Sequence, residues 1–175
     1  MLVAMNGPHP ATLPLDQLLA QCDVRRLRRG GPGGQHRNKV ETAIVLTHRP
    51  TGVRAEANER RSQAENQAQA LRRLRVRLAI EIRSAAGTGR ATQPSPLWQG
   101  RSAAGRLAIN PAHDDFPALL AEALDALAGA EFDVAAAADR LGISTSQMIR
   151  FLQHDPLAWT EVNIHRRDRG LRPLH

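Results

Sequence analysis

Cys22-Asp23-Val24-Arg25-Arg26-Leu27-Arg28-Arg29-Gly30-Gly31-Pro32-Gly33-Gly34-Gln35 is the stretch on which the fold turns. Residues 22–29 alternate weakly, Val24 and Leu27 interrupting arginines, as in a strand with a wet basic face. The run then breaks. Glycine loses the most backbone freedom on ordering and proline has no amide to donate, so Gly30 to Gly34 reads as a loop. Beyond it Thr42-Ala43-Ile44-Val45-Leu46-Thr47 is rich in β-branched residues and predicts a strand, Pro50-Thr51-Gly52 a turn, and residues 53–57 a returning strand. A strand, a basic glycine-rich loop and a hairpin follow one another.

Downstream, Ser62 is placed to N-cap a long helix, with Glu65 three residues on completing a capping box and the helix running to about residue 83. Its apolar stripe is Ala64, Ala68, Leu71, Leu74, Leu78 and Ile82; Arg72, Arg73 and Arg77 fall outside it, and Arg75 is expected to snorkel at its edge. Upstream, residues 1–14 hold three prolines without periodicity and read as a flexible arm. Glycine, alanine, serine and proline dominate residues 85–115, expected as a linker whose Leu97-Trp98 pair docks back on the first domain. Residues 116–128 and two shorter segments split at Gly142 read as helices. The expected organisation is an arm at 1–14, an α+β domain at 15–84, the linker, a helical module at 116–156 and a basic tail at 157–175.

The chain has 175 residues, a formal charge of +7 and a sequence pI near 11.3, nearly all its cations being arginine, which points to a polyanionic partner. Aromatic residues make up 3% and tyrosine is absent, so base stacking is not the main grip. Cys22 is the single cysteine, which excludes an internal disulfide and a cysteine-based zinc cluster, and the histidines lack paired helical spacing; no metal and no cofactor are expected. Phosphate-binding loops of the Walker kind, a nucleophile elbow and a catalytic carboxylate pair are absent, Asp114-Asp115 reading as a helix start. Residues 1–10 have no basic segment followed by an apolar one, and no long apolar run follows, so a cytoplasmic protein without a membrane partner is expected.

The ordered set Arg29-Gly30-Gly31-Pro32-Gly33-Gly34-Gln35, Asn38-Lys39, Thr42-Ala43, Leu46-Thr47-His48, Pro50-Thr51-Gly52 and Arg61-Ser62-Gln63 with Asn66 and Ala70 resembles the catalytic domain of class I peptide chain release factors and the related ribosome-rescue peptidyl-tRNA hydrolases. The chain departs from that pattern at Arg37, usually apolar, and at Gly30-Gly31, where a small polar residue commonly precedes the second position. The resemblance implies attack of water on the ester of peptidyl-tRNA, with Gly33, Gly34 and Gln35 as catalytic residues. Glycines at 33 and 34 let the main chain approach the substrate, and the Gln35 amide is the candidate donor to the developing oxyanion. A neutral Gln35 side chain is no strong base, so its role is to orient water. His36 is a weaker candidate for a base and fits an RNA contact better. Arg25, Arg26, Arg28, Arg29, Arg37, Asn38 and Lys39 are the candidate RNA-binding residues, holding phosphates rather than reading bases. The implied partners are the ribosome, its large-subunit rRNA and peptidyl-tRNA, with the chain acting as a monomer.

Residues 134–152 have helix-turn-helix spacing: Ala138 four before Gly142, Leu141 and Ile143 flanking it, Met148 and Phe151 six and nine after. Ser144, Thr145, Ser146, Gln147 and Arg150 would then be exposed as candidate nucleic-acid contacts, against the alternative of a plain three-helix packing unit. A length of 175 residues leaves no room for codon-recognition domains, so codon-independent peptide release is the leading expectation. The alternatives are a non-catalytic ribosome- or RNA-binding protein and a helix-turn-helix DNA-binding protein.

Overall fold

The structure, a computed structural model, describes residues 3–5, 7–27, 43–85 and 93–175. It is α+β and divides into two compact units, Leu13–Leu78 and Met1–Thr12 with Ala79–His175, the division falling inside one helix.

In the first unit, α1 (Leu15–Ala20) leads into β2 (Cys22–Leu27), and β3 (Ala43–His48) and β4 (Arg54–Ala57) complete an antiparallel sheet of order β2-β3-β4. The central strand β3 is buried on both faces apart from Thr47, as its unbroken Ala-Ile-Val-Leu run requires, whereas β2 beyond Cys22 is mostly exposed. The long helix α2 (Gln63–Glu81) follows, with Ser62 Oγ accepting from the Glu65 amide at 3.4 Å as the capping pattern predicts. Its buried side is Asn66, Ala70, Leu71, Leu74 and Leu78, not Ala64 and Ala68, which are exposed. Arg75 does not snorkel; only 8% of it is exposed.

The second unit opens with β1 (Val3–Met5), paired in parallel with β5 (Ile82–Ser84). The segment expected as a flexible arm is therefore in part a strand, and it is pinned further by His9, 6% exposed, whose ring nitrogen contacts Ile82 O at 3.1 Å. A short 3-10 turn, Pro10–Thr12, packs on α4 (Phe116–Gly129). The segment expected as a linker holds α3 (Pro96–Arg101) and a hairpin of β6 (Ser102–Ala103) and β7 (Arg106–Leu107). Ser95 N-caps α3, and Trp98, fully buried, donates its indole N–H to Leu141 O at 2.8 Å and meets the Phe151 ring edge-on at 6.0 Å. Trp98 thus docks on the helical module and not on the first domain. Asp114-Asp115 does precede the start of α4 at Phe116; Asp115 occupies the N-cap position without a side-chain cap bond, its carboxylate accepting from Arg101 at 2.6 Å.

After α4 come α5 (Val134–Arg140), N-capped by Asp133, α6 (Thr145–Gln153), N-capped by Ser144, and α7 (Pro156–Asp168), N-capped by Asp155. Gly142 has φ +67° at the turn between α5 and α6, and Ala138, Leu141, Ile143, Met148 and Phe151 are all buried, the pattern a helix-turn-helix needs. The expected basic tail is mostly helix α7. Two of its arginines are used internally: Arg166 donates to Phe132 O at 2.5 Å and to Arg172 O at 2.9 Å, and the Arg169 guanidinium sits 4.7 Å over the Phe132 ring. Those contacts hold a turn in which Glu131 and Phe132 adopt φ of +53° and +63°.

At the end of α2, Arg83 turns back to cap the helix. It donates to Ala79 O at 2.7 Å, to Ile80 O at 2.6 Å and to Ile82 O, carbonyls of the last helical turn and of the first residue of β5. Burial pulls its pKa down to about 10, with Asp125 opposing the shift, so it is still a cation at neutral pH. Asp125, itself buried, accepts from Ser84 N at 3.2 Å and Ser84 Oγ at 2.5 Å.

Candidate functional site

Strand β2 pairs with β3 through Arg25↔Val45, Arg26↔Ile44 and Leu27↔Ala43. Leu27 and Ala43 are thus neighbours across the sheet, and the segment that carries Gly33-Gly34-Gln35 leaves and re-enters the sheet at a paired position. Arg25 and Arg26 lie exposed on β2, and Val24 between Asp23 and Arg25 is 42% exposed although apolar. Gly33, Gly34, Gln35, His36, Arg28, Arg29, Arg37, Asn38 and Lys39 lie outside the described residues. Of the expected catalytic and RNA-binding set, the described residues bring together Arg25 and Arg26.

The other end of the same strand pair is built around His48, which is fully buried. Its Nδ1 lies 2.7 Å from Thr51 Oγ1 and its Nε2 3.0 Å from Gln21 Oε1. A glutamine carbonyl only accepts, so Nε2 carries the proton, the Thr51 hydroxyl donates to Nδ1, and the ring is neutral. Burial pushes the His48 pKa down, and the neighbouring Arg49 cation adds to the shift. The turn closes with Gly52 N donating to His48 O at 2.7 Å, Gly52 having φ +74°. Arg49 then clamps the start of β2, donating to Ala20 O at 2.6 Å and Cys22 O at 3.0 Å and pairing with Asp23 at 3.4 Å. Cys22 Sγ donates to Leu18 O, and burial raises the thiol pKa, leaving it an inert part of the core.

Two further groups frame the sheet. Asn66, on the first turn of α2, is fully buried and makes a closed pair with the preceding loop, accepting from Arg60 N and donating to Arg60 O at 2.9 Å each. Arg73 and Arg77, one turn apart on α2, donate to Glu56 O at 2.8 Å and Arg54 O at 2.9 Å of the edge strand β4. They cover carbonyls that an edge strand would otherwise offer to another chain. Their place outside the apolar stripe of α2 is as expected, but neither their bonds to β4 nor the roles of Gln21 and Arg49 can be told from the sequence pattern. A buried acceptor cannot be read from charge, but His48, Asn66 and Gly52 all belonged to the quoted pattern.

Residues 19–104 match the RF-1 domain family. The chain carries an RF-1 domain. Over 84 residues it is 43% identical to peptide chain release factor 1 of Acidiphilium cryptum, covering 47% of this chain and 24% of that protein. Over 58 residues it is 50% identical to the chloroplastic peptide chain release factor PrfB1 of Arabidopsis thaliana, covering 33% of this chain and 13% of that protein. A third relative, peptide chain release factor 1 of Albidiferax ferrireducens, is 49% identical over 65 residues, 37% of this chain and 18% of its own. The chain spans a quarter or less of the length of these relatives.

The RF-1 domain begins within α1 and ends at the turn between β6 and β7, so it includes the β2–β3–β4 sheet, all of α2, and α3. The match continues past residue 84. Helices α4 to α7 lie beyond it. On α6, Thr145, Ser146 and Arg150 are exposed and Gln147 is half-buried, while Ser144 accepts from the Gln147 amide at 3.2 Å. No group of three or more histidine, cysteine, aspartate or glutamate side chains able to hold a metal ion occurs among the described residues. No helix among the described residues is long and apolar enough to cross a membrane.

Proposed function

We propose that this chain hydrolyses the ester of peptidyl-tRNA on the ribosome, without reading a codon, through Gly33-Gly34-Gln35. The observation that carries the reading is the RF-1 match over 19–104, which contains that tripeptide with the sequence context of release factors on both sides. The pairing of Leu27 with Ala43 supports it, since the segment between them is held at both ends by a sheet whose far end is fixed by buried hydrogen bonds. In the reaction, water attacks the ester carbonyl carbon, the carbonyl oxygen takes negative charge, and the 3′ oxygen of the tRNA ribose leaves with a proton. The Gln35 backbone amide donates to the oxyanion, and its side chain orients the water. Glycines at 33 and 34 keep a Cβ out of the approach. No side chain of the tripeptide is basic enough to take the proton, so the ribosomal centre and solvent supply proton transfer. Arg25, Arg26, Arg28, Arg29, Arg37, Asn38 and Lys39 hold RNA phosphates around the loop.

Codon independence is the finer part of this proposal, and the release assay decides it directly. The test is release of labelled peptide from ribosomes carrying peptidyl-tRNA, with and without a stop codon in the decoding site. Release in both, abolished by Gly34→Ala, is the expected result. Release only with a stop codon overturns codon independence, and ribosome binding without release overturns hydrolysis in favour of a non-catalytic binding role.

A further inference from the structure

The polar face of α6 is unused by the reading above. From Ser144 to His154 the sequence contains no acidic residue, and neither do residues 102–109 of the hairpin beside it. Ser146, Arg150 and Gln153 follow one another at four- and three-residue steps, so they line one exposed face of the helix, while Met148, Phe151 and Leu152 fill the core on the other. The hairpin is fixed to the helix start, because the Ser144 amide donates to Gly105 O at 3.1 Å, and Arg106 next to that contact is exposed. Leu107, Ile109, Gln147, Arg150, Phe151 and His154 line a groove of about 370 Å³ beside this face. The result is a helix-turn-helix with a short hairpin flanking its second helix, presenting hydroxyls, amides and two arginines on segments that themselves carry no acidic residue.

We propose that the α6 face and the β6–β7 hairpin form a second nucleic-acid-binding surface that grips double-stranded RNA. The choice of RNA rests on the ribosomal reading above and on the chemistry of the face. Serine, threonine and glutamine suit the 2′-hydroxyls of the wide, shallow minor groove of an A-form duplex, and a nine-residue helix, roughly 14 Å long, spans part of it. Arg106 and Arg150 bind the bordering phosphates. The surface positions the chain and reads shape, since it has too few base-reading side chains to specify a sequence.

The test uses the full chain and a labelled RNA duplex of about 16 base pairs, with a DNA duplex of matching sequence, in fluorescence anisotropy over a salt series. The double variant Arg106→Ala/Arg150→Ala should weaken RNA binding and flatten the plot of log affinity against log salt by about two, one for each lost phosphate contact. Ser146→Glu, which places a carboxylate on the face, should weaken binding several-fold with the melting temperature unchanged. The control Arg167→Ala, on the exposed side of α7, should change neither slope nor affinity by as much. An unchanged slope in the folded double variant overturns the surface, and a loss confined to the DNA duplex overturns the choice of RNA. Gly34→Ala separates this inference from the proposed function. It should abolish peptide release and keep the α6-dependent slope, whereas a parent that releases nothing but shows that slope refutes hydrolysis alone.

Discussion

The two ends of the β2–β3 pair are built for different purposes. At the Cys22↔His48 end, the His48 ring, the Gln21 amide, the Thr51 hydroxyl and the Arg49 guanidinium all have partners, and the chain turns within a few residues. At the Leu27↔Ala43 end, exposed Arg25 and Arg26 run into the glycine-rich segment. Saturated hydrogen bonding fixes one end, while the other leads into residues 28–42, whose sequence holds Arg28, Arg29, Arg37 and Lys39. Substitutions should therefore divide into those that change release and those that change stability.

The largest expected effect lies at the loop end. Under the proposed mechanism Gly34→Ala puts a methyl group into the approach to the ester and pushes the Gln35 amide off the oxyanion, an effect equivalent to losing one oxyanion donor, about 10²- to 10³-fold in rate. Peptide release should fall by at least that factor while the melting temperature stays where it was. A variant that loses both would mean that the loop also supports the fold, and the contrast between the two ends would fail.

Acid tests the stability side of that division, away from the β2–β3 pair, because it strikes buried neutral histidines. His9 accepts from Ala11 N on Nδ1 at 3.1 Å and donates from Nε2 to Ile82 O, so a second ring proton would face an amide hydrogen. Burial lowers its pKa to about 4 from an ordinary 6.5. Above pH 6.5 neither folded nor unfolded His9 is charged. Below it the unfolded chain binds a proton that the folded chain refuses, so stability falls with pH until about 4. The window of about 2.5 units corresponds to about 3 kcal/mol. Urea midpoints of the parent should drop across that window more than those of His9→Gln, whose amide keeps a donor near Ile82 O. Equal slopes in the two proteins would remove His9 from the account.

Asn66→Ala is next in size. It removes both bonds to Arg60, whose backbone groups are only part-buried and can turn to water, costing about 1–2 kcal/mol in unfolding. Peptide release at a temperature well below the melt should be nearly unchanged, since Asn66 belongs to the scaffold of α2. A large loss of release with normal stability would instead bring the start of α2 into the functional end.

The β-branched run of β3, the glycine turn at Gly52 and the helix-turn-helix spacing around Gly142 were legible because each depends on local periodicity or on a residue type that a backbone angle demands. Their bounds shifted by a residue or two, as at Ala43 and Arg54. Residues 85–115 were misread because a composition of small residues and prolines says nothing of Trp98, whose burial depends on Leu141 and Phe151, distant in sequence. The arm failed for the same reason: three residues of strand are held by pairing with β5, and His9 by Ile82. Arginines were the hardest to read. Arg25 and Arg26 are exposed as expected, yet Arg49, Arg73, Arg77, Arg83 and Arg166 donate to main-chain carbonyls, and nothing in a charge count separates the two groups. Gly33-Gly34-Gln35 stands out in the sequence only through its ordered context, because a resemblance spread over several segments is what distinguishes it from a tight turn.

The smallest expected effect tests whether the β6–β7 hairpin is a fixed part of the helical unit. Its two-residue loop has φ +50° at Ala104 and φ +75° at Gly105, both positive, as a type I′ turn requires. Alanine at the first of these positions is strained, whereas asparagine tolerates the left-handed region and is the favoured residue there. Ala104→Asn should therefore stabilise the chain by up to about 1 kcal/mol. Ala104 is exposed, so the added amide meets no packing obstacle. The gain should be read as a higher urea midpoint with an unchanged slope, and it should leave peptide release alone. The Ser144 amide donates to Gly105 O, so a firmer turn also firms the start of α6, and protection of the Ser144 amide from hydrogen exchange should rise with the midpoint. A rise in neither would mean that the hairpin opens independently of the helices, and the coupling of Gly105 to α6 would have to be abandoned.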